Sequence, residues 1–219
     1  VQEAPKGLPE AFTLGKDFIG NDDVTLILGD NLFYGNFKNF RNAIHHQIEK
    51  ANNFHARVFA YGVKDPERYG VVEFEKPSLK VKSIEEKPAK PKSNYAIPGL
   101  YLFDNTVVEK SFSLRPSPRG ELEITDLIKL YLNEGKLGVE IITRGMAWFD
   151  TGTPQSLLEA GQFIGAVEQR QGLKVGCLEE IAFRRKFIDQ KTFENIIENT
   201  PNSTYKTYLE NILSEDINR

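Results

Sequence analysis

The feature that most constrains the fold is a short, almost wholly apolar run, Val24-Thr25-Leu26-Ile27-Leu28, closed by Gly29-Asp30. A run of this length, rich in β-branched residues and stopped by Gly, predicts a strand buried on both faces, as in the sheets of α/β proteins. The chain then turns at once into Asn31-Leu32-Phe33-Tyr34-Gly35. In open α/β sheets ligands collect at the carboxyl ends of strands, so Asp30 stands where a metal or phosphate would sit. Asp also caps turns and helices, and from this segment alone cap and functional acid stay open.

Segments alternate in type along the chain, the α/β signature. Pro9 to Ile19 reads as a helix with Phe12, Phe18 and Ile19 apolar, and Phe37, Phe40, Ile44 and Ile48 mark an amphipathic helix. Arg57 to Val63 is a strand, Asp65 to Arg68 a turn, and Val71 to Glu75 with Val81 to Glu86 a hairpin. Ile97 to Phe103 reads as one strand, with Gly99 inside it as a sign of close backbone approach. Glu121 to Asn133 is helical and Val139 to Thr143 a strand. Thr153 can then cap a helix that has Pro154 at its first position. Beyond Gly172 only helical patterns recur, at Leu178 to Arg185, Lys191 to Ile197 and Tyr205 to Leu213. The division expected is a core over residues 1–170 and a helical segment over 171–219 that packs on it.

Composition narrows the partners. A net charge of -3 argues against a nucleic-acid binder, which would carry a basic surplus. A single cysteine, Cys177, excludes an internal disulfide framework. No run approaches a membrane span and no signal peptide opens the chain, so a cytoplasmic location is expected. His45, His46 and His55 lack metal spacing with any acid, and no Ser-His-Asp, Cys-x-x-Cys or dinucleotide glycine pattern is present.

A second acid repeats the setting of the first. Trp148-Phe149-Asp150-Thr151-Gly152-Thr153 puts Asp150 after a strand and before a helix. Two such carboxylates could meet over one cleft and share Mg²⁺, which takes one or two carboxylates plus substrate phosphates. The alternative is a helix-entry acid favoured by the helix dipole. Cations for a phosphate stand near strand and loop ends: Lys87 in Glu85-Glu86-Lys87-Pro88, and Arg119 in a loop stiffened by Pro116 and Pro118. Gly70, in Arg68-Tyr69-Gly70, lets the backbone approach a ligand.

Taken together, these segments resemble the glucose-1-phosphate thymidylyltransferases, a family of sugar nucleotidyltransferases. The matching stretches are Gln2 to Leu8, Phe18 to Asp22, Leu28 to Gly35, Asp65 to Phe74, Glu85 to Pro88, Lys92 to Tyr101 and Ser117 to Asp126. They continue with Ala147 to Thr153, Leu157 to Ile164 and Arg170 to Val175. The resemblance implies a Rossmann-like nucleotidyltransferase fold with a mixed, mostly parallel central sheet flanked by helices, plus the helical C-terminal segment. It implies Asp30 and Asp150 on a catalytic Mg²⁺, and Lys87 and Arg119 on the phosphate of glucose 1-phosphate. Gln2 and Gly7 would contact the thymine of dTTP. Gly70, Glu86, Ile97 and Tyr101 would bind the sugar, and a regulatory nucleotide site would map onto Tyr34, Gly35, Ile181 and Arg184. A homotetramer, no nucleic-acid or membrane partner, and a product (dTDP-glucose) feeding deoxysugar synthesis of the dTDP-rhamnose type for cell-surface polysaccharide are further implications.

The sequence departs from that family in places. Nothing matches the family's Gly-rich loop with its Arg, so the chain as given is expected to start after that loop and, without it, to be inactive and to expose an apolar sheet edge. Pro98 stands where Thr is expected and removes a backbone donor. Two alternatives remain: a non-catalytic sugar-nucleotide-binding relative or fragment, and a transferase using UTP or CTP. The Gln2 to Gly7 segment favours thymidylyl over the latter.

Overall fold

A computed structural model describes residues 4–49 and 53–217. Gln2 lies outside the described residues. The chain divides into two compact units, Val1–Leu158 and Glu159–Arg219.

The first unit is built on a sheet whose strands are β1 (Val24–Ile27), β3 (Ala56–Gly62), β4 (Gly70–Phe74), β5 (Val81–Glu86), β6 (Tyr95–Ala96), β7 (Leu100–Phe103) and β8 (Leu137–Ile141). Their order is β1-β7-β3-β6-β4-β5, with β8 on the other edge of β3. A separate ribbon joins β2 (Asn31–Tyr34) to β9 (Ala147–Asp150). The α/β class and the central sheet stand as expected. Strand direction differs: among the described strands only β3 with β8 is parallel, and every other pairing is antiparallel. β1, expected to be buried on both faces, alternates between half-buried and exposed positions, with Ile27 55 % exposed, so its apolar run reports a half-covered strand. β7 is buried at all its positions while lying antiparallel to both β1 and β3.

The expected single strand Ile97 to Phe103 is instead two pieces, β6 and β7, separated by Ile97-Pro98-Gly99. Pro98 has no N–H to give a ladder. The Ile97 N–H bonds the Gly70 carbonyl at 2.8 Å on one side, while the Gly99 carbonyl takes the Leu28 N–H at 2.9 Å on the other. The chain therefore crosses from β4 to β1 at this break, and the cleft opens there.

Helices cover the sheet. The expected helix from Pro9 to Ile19 is two short ones, α1 (Glu10–Leu14) and α2 (Lys16–Ile19), parted at Gly15. Phe12 and Ile19 enter the core, but Phe18 is 93 % exposed. α3 (Lys38–Ile48) follows β2, α4 (Val107–Ser113) follows β7, and α5 (Ile124–Asn133) precedes β8. One face of the sheet packs Val58, Ala60 and Phe103 on Phe12, Leu127 and Tyr131. A second cluster, with Phe59, Leu100 and Leu102, packs on Ala43 and Phe40. Alternation along β3 sends its side chains to these two clusters in turn.

α6 (Pro154–Gln171) begins as expected, with the Thr153 hydroxyl accepting the Ser156 N–H at 3.1 Å. The second unit also holds α7 (Leu178–Arg184), α8 (Gln190–Asn199) and α9 (Thr204–Ile217). Asp189 caps α8 by accepting the Thr192 N–H at 2.8 Å. This unit has its own core of Cys177, Phe193, Ile197, Tyr208, Leu209 and Ile212. No helix among the described residues is long and apolar enough to cross a membrane.

Candidate active site

Asp30 and Asp150 are brought together by the small ribbon. β2 runs antiparallel to β9 with Asn31 opposite Asp150, so Asp30, one residue before β2, lies beside the end of β9 that Asp150 closes. The Thr151 N–H and hydroxyl each bond the Asp30 carbonyl at 2.8 Å, which closes the ribbon's end. A Cβ placed on Gly152 would lie 3.1 Å from Asp150 Oδ1 and 3.8 Å from Asp30 Oδ2, so both carboxylates converge on the space that glycine leaves open. Among the described residues no third His, Cys, Asp or Glu joins them in a metal cage. Two carboxylates with open positions fit an ion that completes its shell with substrate phosphate oxygens and water.

Both acids line a cleft of about 210 Å³ in the first unit, together with Gly70, Glu86, Lys87, Ile97 and Tyr101. Gly70 faces Thr125: a Cβ there would meet Thr125 Cγ2 at 3.0 Å, and Glu86 Oε2 lies 3.6 Å from it. Burial pushes the Glu86 carboxyl up, and Glu123 adds to this, while the Thr125 hydroxyl, Lys87 and Arg119 favour its charged form. Burial, helped by the charges of Glu86 and Asp30, holds the Tyr101 phenol well above its ordinary range, so it stays a protonated donor. Thr125 is 1 % exposed, and its hydroxyl lies close enough to the Glu86 carboxylate to favour its charge but outside hydrogen-bond geometry. A buried hydroxyl in the cleft wall is suited to a ligand hydroxyl.

The two cations stand differently. Lys87 lines the cleft directly from a left-handed backbone (φ 38), with its N–H on the Tyr69 carbonyl at 3.0 Å. Arg119 is not in the lining. It stands at the rim, with Nη1 3.5 Å from both Glu86 Oε1 and Glu123 Oε1 and Nη2 3.8 Å from Glu121 Oε2. Its loop is held by Ser117, whose hydroxyl donates to Glu123 Oε1 at 2.7 Å and accepts the Arg119 N–H at 3.1 Å.

Gly7 lines an adjoining cavity with Pro5, Ala11, Leu14 and Glu121, and Leu8 faces both spaces. The backbone requires glycine at position 7: φ is 109, and a Cβ would lie 2.1 Å from the Leu122 carbonyl oxygen. Tyr34 ends β2 in the first unit, opposite Ala147, and Gly35 follows it. Ile181 and Arg184 lie on α7 in the second unit, where Ile181 is exposed and Arg184 pairs with Glu180 at 2.8 Å and Glu215 at 3.5 Å.

Several residues at the cleft have no role assigned from the sequence, although the sequence marks Arg68 and Tyr69 beside Gly70. Asn31, Arg68, Tyr69, Thr125 and Trp148 all line the cleft. Trp148 is the chain's one tryptophan and sits two positions before Asp150 in the same strand, a signal that was available. Thr125 lies on α5, a helix whose pattern marks only core positions.

The profile of the nucleotidyl transferase family matches residues 1–167. A glucose-1-phosphate thymidylyltransferase of Neisseria meningitidis serogroup A is 46% identical over 215 residues, covering 98% of this chain and 73% of the relative. One from Mycolicibacterium smegmatis is 48% identical over 216 residues, with 99% and 73% covered. A solved Bacillus anthracis structure assigned as a glucose-1-phosphate thymidylyltransferase, in complex with a sucrose, aligns with TM-score 0.64 at 39% identity, covering 74% of this chain and 63% of that one. A UDP-glucose pyrophosphorylase complexed with UDP-glucose aligns with TM-score 0.67 at 22% identity, a likeness of fold alone.

Proposed function

The chain belongs to the nucleotidyl transferase family, among the glucose-1-phosphate thymidylyltransferases, and from that premise we propose that it transfers a thymidylyl group from dTTP to glucose 1-phosphate. The products are dTDP-glucose and pyrophosphate. The family works on a nucleoside triphosphate and a sugar phosphate with a divalent metal. The observation that carries the reading is the meeting of two carboxylates at Gly152, across one cleft from Glu86, Tyr101 and Lys87.

In this reading Asp30 and Asp150 hold Mg²⁺, which supplies neutralising charge to phosphate oxygens. Lys87 and Arg119 bind and orient the phosphate of glucose 1-phosphate, and Glu86 accepts a sugar hydroxyl. Gly70 presents its backbone to the sugar, and Ile97 and Tyr101 wall the hexose. A phosphate oxygen of the sugar attacks the α-phosphorus of dTTP, the bond to the β-phosphate breaks, and pyrophosphate leaves. The attacking oxygen is already ionised, so no side chain has to act as a general base. The protein's part is to position two anions and offset their charge. Gly7, and Gln2 with it, belong to the nucleotide side. The regulatory role of Tyr34, Gly35, Ile181 and Arg184, a homotetramer, a cytoplasmic location and a dTDP-rhamnose-type pathway are parts of the same proposal.

Pyrophosphate release is the test, measured on the protein as its gene encodes it with glucose 1-phosphate, Mg²⁺ and either dTTP, UTP or CTP. Turnover with dTTP well above the other two is expected. No turnover with any nucleotide sinks the enzymatic reading, and a preference for UTP or CTP replaces the thymidylyl assignment.

A further inference from the structure

Asn31 is the first residue of β2, and its side chain ties three separate segments together. Its Oδ1 accepts two hydrogen bonds, from the Trp148 indole N–H at 2.7 Å and the Gly99 N–H at 2.9 Å. Its Nδ2 donates to Asp30 Oδ1 at 2.8 Å. An amide has one acceptor end and one donor end, so these three partners fix which way it points. A carboxylate there would lose the bond to Asp30, and an aliphatic residue would lose all three. Gly99 is shaped to this contact, since a Cβ on it would come within 2.9 Å of Asn31 Cγ and 2.6 Å of Leu28 Cδ1. Trp148 in turn packs edge-on against Tyr61 and Tyr69, at 5.7 and 5.2 Å between ring centres. The Tyr69 carbonyl holds the Lys87 N–H at 3.0 Å.

We propose that Asn31 is a positioning residue that locks the aim of the Asp30 carboxylate to the indole of Trp148 and to the β6–β7 break, so that the acid side and the sugar side of the cleft are set as one unit. The inference rests on the proposed reaction for its purpose, but its geometry is independent of turnover. Hydrogen-bonding partners that orient a ligating carboxylate control metal affinity nearly as strongly as the ligands do.

Trp148 is the only tryptophan, so emission from the metal-free protein reports this one ring. Asn31→Ala should change the Trp148 emission before any metal is added. It should also weaken Mn²⁺ binding, read by water-proton relaxation, by about 10- to 100-fold. Wild-type emission, or wild-type Mn²⁺ affinity, in folded Asn31→Ala overturns the proposal. If Asn31→Ala does not fold, Trp148→Phe keeps a ring and deletes only the indole donor. A severalfold weaker Mn²⁺ affinity then supports the coupling, and an unchanged one overturns it. A wild-type protein that binds no Mn²⁺ overturns it as well. Failure of the thymidylyl reading would show separately, as absent pyrophosphate release with both binding readouts intact.

Discussion

Asp30 and Asp150 contrast with Asp104, a third acid that follows a strand. Asp104 comes directly after β7, yet it is 1 % exposed and saturated with donors. His55 Nδ1 lies 2.6 Å from its Oδ2, and the Tyr131 hydroxyl donates to its Oδ1 at 3.0 Å beside the Thr106 hydroxyl. Burial alone would raise this carboxyl, but the bonds from Thr106, His55 and Tyr131 outweigh it and hold the group below its usual range. Among the described residues Asp30 and Asp150 each take one side-chain hydrogen bond, from Asn31 and from the Gly152 N–H. A carboxylate whose lone pairs are filled by the protein holds the fold together. One whose lone pairs are left open can take water or a ligand, the part proposed for Asp30 and Asp150. β1 and β7 run antiparallel with Val24 opposite Phe103, so Asp104 also lies at the end of the sheet away from Asp30.

The sharpest way to break this comparison is at the open pair. Asp150→Asn should lower Mg²⁺-dependent pyrophosphate release by about 10²–10³-fold, the size seen when one well-placed charge-stabilising group is removed. Its melting temperature should stay close to wild type, because the lost charge sits in an open site. Wild-type turnover would remove Asp150 from the metal pair.

At the closed acid the effects should reverse. Asp104→Ala should cost about 3 kcal/mol of stability, as breaking a buried, paired charge does. Turnover per folded molecule should not change, and denaturant unfolding with an activity assay separates the two. The pH dependence has a definite sign. Asp104 has a folded pKa below its unfolded value, about 3.9, so its contribution is present above that pH and is lost as pH falls through the lower, folded value. Acid unfolding of Asp104→Ala should therefore lack this component.

Glu86 lies between the two cases, half-buried and only partly satisfied. Burial raises its carboxyl, so the charged form that would accept a sugar hydroxyl in the proposed reaction is lost at a higher pH than for a free Glu, about 4.3. Affinity for glucose 1-phosphate should fall as pH drops through that raised value. Glu86→Gln should flatten this acid limb and raise KM about tenfold, the loss of one charge-assisted hydrogen bond. An unchanged limb in the variant would assign it to another group.

What was legible in the sequence follows the same division. Asp30 and Asp150 stood out because each breaks an apolar run at a Gly-containing turn, and such breaks survive in one dimension. Lys87 and Glu86 were legible as charges bunched at the end of β5. Asn31 was not, because its three partners come from Asp30, Gly99 and Trp148, and only the antiparallel β2–β9 ribbon and the β6–β7 break bring them to it. Strand direction was misjudged for a related reason. Apolar runs such as Leu100 to Phe103 record burial by helices on both sides and carry no sign of which way the neighbour runs. The break at Ile97 to Gly99 was hidden because Pro98 and Gly99 sit inside an otherwise apolar stretch.

The smallest effect should come from thinning the donors around Asp104 without removing the charge. Thr106→Val deletes one donor to Oδ1, but Tyr131 still donates to that oxygen and His55 still pairs with the other. Thr106 is itself exposed, so water can take its place. The cost should be about 0.5–1 kcal/mol, the ordinary net worth of one hydrogen bond, read as a small shift of the denaturant midpoint at constant slope. The acid-unfolding midpoint should also move slightly upward, because one bond that favours the charged form is gone. A loss as large as that of Asp104→Ala would mean that the hydroxyl, and not the paired charge, organises this end of the sheet, and the contrast between filled and open carboxylates would then rest on the wrong residue.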